Sequence, residues 1–181
     1  VCDRRPGSDG YVPLSASRQS VSTMGTLSGL FAPERVAVVG ATDREGSVGR
    51  AILENLGAFD GDVVAVNPNR EEVLGYRCYP DVASVGEPVD LAVVVVPPSV
   101  ANPVVREAAE AGVENVVVVT AGFSETGADG ASREGELKAI AEEYDLNVVG
   151  PNCLGVMNTT VSMNATFGPE MALPGSVSFM S

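Results

Sequence analysis

With 181 residues, 45% of them hydrophobic but only 5% aromatic, the chain can bury the core of one domain, and its wealth of Val, Ala and Gly favours a parallel α/β sheet over a sandwich or barrel. Its 24 acidic residues outnumber 11 basic ones, for a net charge of −13, which repels nucleic acid and anionic membranes in the bulk but leaves room for a local anion site of backbone N–H groups and an Arg or two. There is no histidine, so the commonest general base, a common metal ligand and any phosphohistidine chemistry are missing from this chain, and Cys2, Cys78 and Cys153 show neither metal-ligand spacing nor the even count of a disulfide framework.

No apolar run approaches the roughly 18 residues of a membrane span, and no basic-then-apolar segment opens the chain. Together these predict a cytoplasmic protein that contacts no membrane. Lys138 is the only lysine beside ten arginines, and so acidic a chain with so little Lys suits a salt-rich cytoplasm.

Residues 1–24 are rich in Ser, Arg, Gly and Pro without periodicity and are expected to form a disordered extension upstream of the domain. A short amphipathic piece, Leu27 to Phe31, leads into Val36-Ala37-Val38-Val39, a run short and apolar enough for a strand buried on both faces. Glycines at 40, 46 and 49 follow, and then the apolar spacing of a helix from Arg50 to Leu56. Strand, glycine loop and helix start describe the first turn of a nucleotide-binding α/β unit, in which Gly40 turns the chain and Gly46 and Gly49 let backbone N–H groups approach a phosphate. The G-x5-G-x2-G spacing differs from the G-x-G-x-x-G of dinucleotide enzymes, and a tight strand-to-helix turn without a ligand is its other reading.

Asp62 to Val66 reads as the second strand, ending in Asn67-Pro68-Asn69-Arg70. An NAD-binding unit carries an acid here, whereas an Arg suits a phosphorylated ribose, as in NADP or in the 3′-phosphate of coenzyme A (CoA). The alternative is that Arg70 is a solvated loop residue. Glu71 to Glu87 holds a turn at Gly75-Tyr76 and a short helix from Pro80 to Val85. The third strand is Asp90 to Val96, stopped by Pro97-Pro98, with a helix from Pro103 to Ala111 capped by Ser99 or Asn102. Asn115 to Val119 is the fourth strand, Gly127 to Gly130 a loop, Arg133 to Tyr144 an acidic amphipathic helix, and Asn147 to Val149 the fifth strand. This alternation predicts a Rossmann-like, doubly wound parallel α/β sheet.

Ligands of such sheets sit beyond the carboxyl ends of the strands. The segments there are small, polar or rich in Gly and Pro, and none supplies a carboxylate pair, a nucleophile with its base, or a metal cluster. The predicted site binds and does not cut, with no catalytic residue and no metal.

The motifs VAVVGAT…GSVG at 36–49, VNPNR at 66–70, VVPPS at 95–99, VVTAGFSE at 118–125 and VGPNCLG at 149–155 resemble the CoA-binding domain of the succinyl-CoA synthetase α-subunit superfamily. They are most similar to those of the ADP-forming acetate (acyl)–CoA ligases. The resemblance implies that Thr42 and the Gly46-Ser47-Val48-Gly49 run hold the coenzyme's phosphates, with Gly40 at the turn before them also counted as coenzyme-binding. It puts Arg70 near the 3′-phosphate, counts Asn67 and Pro68 before it among the coenzyme-binding residues, and sets Val96-Pro97, Val119-Thr120-Ala121 and Asn152-Cys153 along the pantetheine arm. Cys153 reads as a small buried thiol beside the coenzyme, since no base or cation flanks it.

The same resemblance implies a domain over 25–160 and, over 161–181, a linker and the opening strand of a second domain. The phosphohistidine and ATP-grasp domains of the ligase would be partners outside this chain, which alone would bind CoA and catalyse nothing. A stand-alone CoA-binding or sensing protein, an NADP-binding oxidoreductase fragment, and a regulatory module fused to an acetyltransferase are the alternatives.

Overall fold

The computed structural model describes residues 27–176 and residue 178. The expected extension over 1–24 lies outside the described residues, as does half of the strand expected over 174–181. In chain order the elements are α1 (Ser28–Phe31), β1 (Arg35–Val39), α2 (Val48–Asn55), β2 (Asp62–Val66), β3 (Glu72–Val73), β4 (Tyr76–Tyr79), β5 (Leu91–Val94), α3 (Pro98–Glu110), β6 (Asn115–Val118), α4 (Ala128–Tyr144), β7 (Asn147–Val149), β8 (Gly155–Asn158) and β9 (Met163–Thr166).

Seven strands form one sheet in the order β3-β4-β2-β1-β5-β6-β7, with β3 alone antiparallel to its neighbour. The central strands are Val-rich runs buried on both faces, as a parallel sheet between two layers requires. Their alternation sorts the core into two clusters. Val36, Val38, Leu91, Val93 and Val117 pack with Ile52 and Leu53 of α2, with Leu56 just past its end, and with Met163 and Ala165 of β9. Ala37, Val39, Ala92, Val94, Val116 and Val118 pack with Ala101, Val105 and Ala108 of α3 and with Leu137 and Ile140 of α4. Each fully buried Val contributes about 1.5 kcal/mol or more relative to exposure, so these β-branched runs carry much of the fold's stability.

Several boundaries move from the sequence reading. The third strand spans Leu91–Val94, not Asp90 to Val96, because the Asp90 carboxylate accepts the N–H groups of Glu34 and Arg35 at 2.9 and 2.8 Å. The fourth ends at Val118 rather than Val119. Helix α3 starts at Pro98 with Pro97 as its cap, five residues before the expected Pro103 and without Ser99 or Asn102 capping. A first-turn proline lacks only an N–H that would have no intrahelical partner. Pro103 is tolerated inside the helix because it and Ser99 lie on the exposed face, where water can serve the carbonyl it leaves. Helix α4 absorbs the loop expected over Gly127 to Gly130, starting at Ala128. Gly130 is a packing glycine there, since a Cβ would collide with the Phe123 carbonyl oxygen.

Two hairpins were not anticipated. Leu74 and Gly75, with φ of 52° and 83°, turn β3 back onto β4, so the turn falls one residue before the expected Gly75-Tyr76. The helix expected from Pro80 to Val85 is one 3₁₀ turn, Ala83–Val85. Strands β8 and β9 pair antiparallel across residue 160, and the wholly buried β9 packs on α2.

Candidate functional site

Strand β1 is the switch point of the sheet: the chain steps from it to β2 on one side and later returns to β5 on the other. Ligand crevices of open α/β sheets lie beyond the strand ends at such a point. Because β1, β2, β5, β6 and β7 run parallel, all five expected tips fall on one rim. Hydrogen bonds then join them into a continuous line. Asn67 Nδ2 donates to the Ala41 carbonyl at 2.9 Å, the Val95 N–H to Val39 at 2.9 Å, Thr120 Oγ1 to Val96 at 2.8 Å, and the Asn152 N–H to Thr120 at 3.0 Å.

The glycine loop is built by close approach. A Cβ on Gly49 would sit 2.6 Å from the Gly40 carbonyl oxygen, and one on Gly40 would sit 2.9 Å from the Val95 carbonyl oxygen. These two glycines therefore let the start of α2 settle against the ends of β1 and β5. Gly46 has open space around it and serves through its φ of +72° instead. Ser47 caps α2, its Oγ accepting from the Arg50 N–H at 3.4 Å and donating to the Arg44 carbonyl at 2.7 Å. The first-turn N–H groups of Val48 and Gly49, which have no partner within a helix, lie beside the loop at the positive end of the helix dipole, Val48 exposed and Gly49 buried. Thr42 Oγ1 accepts from the Arg44 N–H at 3.2 Å, tightening the same loop.

Other expected residues are spent partly on the scaffold. Asn67 uses both ends of its amide, the second accepting from the Asn69 N–H at 2.9 Å, and so tethers one tip to the next. Pro68 and Arg70 stand exposed beside it, with Arg70 Nη2 3.1 Å from Asp43 Oδ1. Thr120 and Val119 are buried, Val96 is half-buried, and Pro97 and Ala121 face solvent. Asn152 takes the left-handed backbone (φ 55°) that Asn tolerates and is exposed at the tip. Cys153 is half-buried against the core, its Sγ 3.4 Å from the Val118 carbonyl oxygen, and burial pushes its thiol up. That direction removes thiolate character at neutral pH and agrees with a packing residue.

Residues the sequence did not single out complete the rim. The Glu125 carboxylate accepts the N–H groups of Gly122 and Phe123 at 2.5 and 3.1 Å, chiefly the former, which holds it below its ordinary value. Hydrogen bonding from Ser124, then Lys138, lowers Glu134 to about 2. The Arg133 guanidinium donates to the Gly122 carbonyl, fixing the same turn. An open cavity of about 390 Å³ flanks the glycine loop, lined by Gly46, Ser47, Val48, Arg50 and Phe167 among others. Phe167 comes from far along the chain, and no local motif signals it. Among the described residues no group of three or more His, Cys, Asp or Glu side chains converges as a metal site would require. No described helix is long and apolar enough to cross a membrane.

The family profile described as a CoA binding domain matches residues 34–159, a span that contains all five tips. The chain belongs to the CoA-binding domain family. It is 48% identical, over 84% of its length, to acetate–CoA ligase (ADP-forming) I of Archaeoglobus fulgidus, of which it covers 22%. It is 41% identical, over 83% of its length, to the alpha subunit of acetate–CoA ligase (ADP-forming) II of Pyrococcus furiosus, of which it covers 33%. Among solved structures, the dinucleotide forming acetyl-coenzyme A synthetase 1 of Ca. Korarchaeum cryptofilum, in complex with phosphate and ADP, superposes with a TM-score of 0.79 at 41% identity. That match covers 84% of this chain and 33% of the other. The chain thus spans about a fifth to a third of the relatives it matches. CoA is the ligand of this domain, and the sensing and NADP alternatives are not favoured.

Proposed function

We propose that CoA lies along this rim with its phosphates at Thr42 and the Gly46–Gly49 run, its 3′-phosphate at Arg70, and its pantetheine arm passing Val96-Pro97, Val119-Thr120-Ala121 and Asn152-Cys153. One observation carries the reading: five strand ends, each small or polar, are hydrogen-bonded into a single line that starts at a glycine loop and a helix N-terminus. The scaffold residues hold the line in shape, and the N–H groups at the start of α2 and Arg70 supply its charge. Nothing in the line abstracts a proton or attacks a carbonyl, so the chain positions the thiol for chemistry done elsewhere.

The module belongs, in this reading, to a cytoplasmic ADP-forming acyl–CoA ligase whose whole reaction is acyl-CoA + ADP + phosphate ⇌ acid + CoA + ATP. A phosphate-carrying histidine and an ATP-grasp domain, in further domains or a second subunit, would supply the steps this histidine-free chain lacks. A 25–160 domain with a linker to a second domain belongs to the same reading, with the first domain extended through β9, which is buried against α2.

Calorimetry tests the site. The chain should bind one CoA, bind dephospho-CoA about fivefold more weakly, and ignore NADPH, since a charge-assisted contact to phosphate contributes roughly 1 kcal/mol at an exposed site. Arg70→Gln should erase that difference. Equal affinity of the parent chain for CoA and dephospho-CoA would remove Arg70 from its role.

A further inference from the structure

The phosphate loop carries an acid that CoA binding by itself does not call for. Asp43 sits among the loop residues, about half-exposed, with its Oδ1 3.1 Å from Arg70 Nη2. Among the described residues this is the ion pair that joins two rim loops; the others lie at Arg35, far from the rim, or on helix surfaces. Asp43 is anchored from behind. Arg50 Nη1 donates to its carbonyl at 2.9 Å, and Arg50 is itself held by Glu54 at 2.7 Å. The following residue is braced through Thr42 Oγ1 and Ser47 Oγ.

An arginine so held has two partners to choose between. A pair between half-exposed groups is weak and is weakened further by salt, whereas a phosphate makes stronger, charge-assisted contacts to a guanidinium. The incoming phosphate can therefore take Arg70. Asp43 cannot retreat far, because its backbone is fastened to α2, and its charge opposes that of the ligand.

We propose that Asp43 is a specificity-determining residue: it occupies Arg70 in the free chain, competes with the 3′-phosphate of CoA, and sets how strongly the site prefers CoA over dephospho-CoA at a given salt concentration. The inference rests on the assignment of Arg70 to the 3′-phosphate. With Asp43 in place the pair is neutral, so the 3′-phosphate contribution to binding varies little with salt. Without it a net positive charge remains, whose reach shrinks from about 10 Å at 0.1 M salt to about 3 Å at 1 M.

The experiment titrates CoA and dephospho-CoA into the parent chain, Asp43→Asn, Arg70→Gln and the double variant, at low and at molar KCl. Asp43→Asn is expected to bind CoA about fivefold more tightly than the parent at low salt, by the interaction of unit charges about 4 Å apart in water. Its dephospho-CoA affinity should be unchanged, its gain should shrink at molar KCl, and the gain should vanish in the double variant. If Arg70→Gln lowers CoA affinity relative to dephospho-CoA while Asp43→Asn changes nothing, the role of Asp43 is overturned and the 3′-phosphate assignment stands. Weaker binding of both ligands by Asp43→Asn also overturns it, by making Asp43 a loop-ordering residue. An unchanged CoA to dephospho-CoA ratio in Arg70→Gln overturns both.

Discussion

Cys153 is where the chemistry of a single residue most invites misreading. A cysteine at the tip of a binding loop could be taken for a nucleophile, yet its thiol lies against the Val118 carbonyl, no cation among the described residues acts on it, and desolvation raises its pKa. Because the neutral thiol is favoured in the fold, its contribution to stability is intact below the unfolded value near 9.0 and is lost as pH rises beyond it. Iodoacetamide at pH 8 should label native Cys153 far more slowly than the urea-unfolded chain, as read by peptide mass mapping. Cys153→Ala should cost about 1 kcal/mol of stability and leave CoA affinity within about twofold, in line with a partly buried small side chain. Loss of CoA binding in a variant that still melts normally would return Cys153 to the list of functional groups.

Between elements, the join of β1, α2 and β5 decides whether the glycine loop keeps its shape. Gly46 and Gly49 look alike in sequence but answer to different physics. Gly49 faces the Gly40 carbonyl oxygen, so Gly49→Ala must push α2 off the strand ends, whereas Gly46 has only its backbone conformation to defend. Gly46→Ala should cost about 1 kcal/mol, the usual penalty of a left-handed L-residue. Gly49→Ala should cost about 2 kcal/mol or more, as overpacking does, and should weaken CoA binding at least tenfold. Thermal melts and calorimetry on the two variants read both quantities. Equal costs would mean that the helix yields without disturbing the loop.

For the molecule as a whole, the balance of 24 acidic against 11 basic residues dominates long-range energetics. Self-repulsion on this scale is relieved by screening, so the melting temperature should rise between about 0.1 M and 2 M KCl. Greatest stability at low salt would refute a salt-rich setting. The five Val-rich strands, their order of alternation with helices and the glycine-loop, Asn-Pro-Asn-Arg and Gly-Pro-Asn-Cys tips were all legible, because buried parallel strands and tight turns are specified by residues adjacent in the chain. The β3–β4 turn was misplaced by one residue, because the left-handed position fell to Leu74, a residue type that gives no such signal.

Sequence by itself determined the parallel α/β class and which loop tips follow the parallel strands, since both follow from local apolar runs and local glycine and proline chemistry. Only the tertiary structure decided that Asn67 is a tether, that Asp43 holds Arg70, that Gly130 is a packing glycine inside α4, that β9 packs on α2, and that Phe167 comes beside the glycine loop. Those roles depend on distances between residues far apart or on neighbouring loops, and such distances exist only once the core has packed.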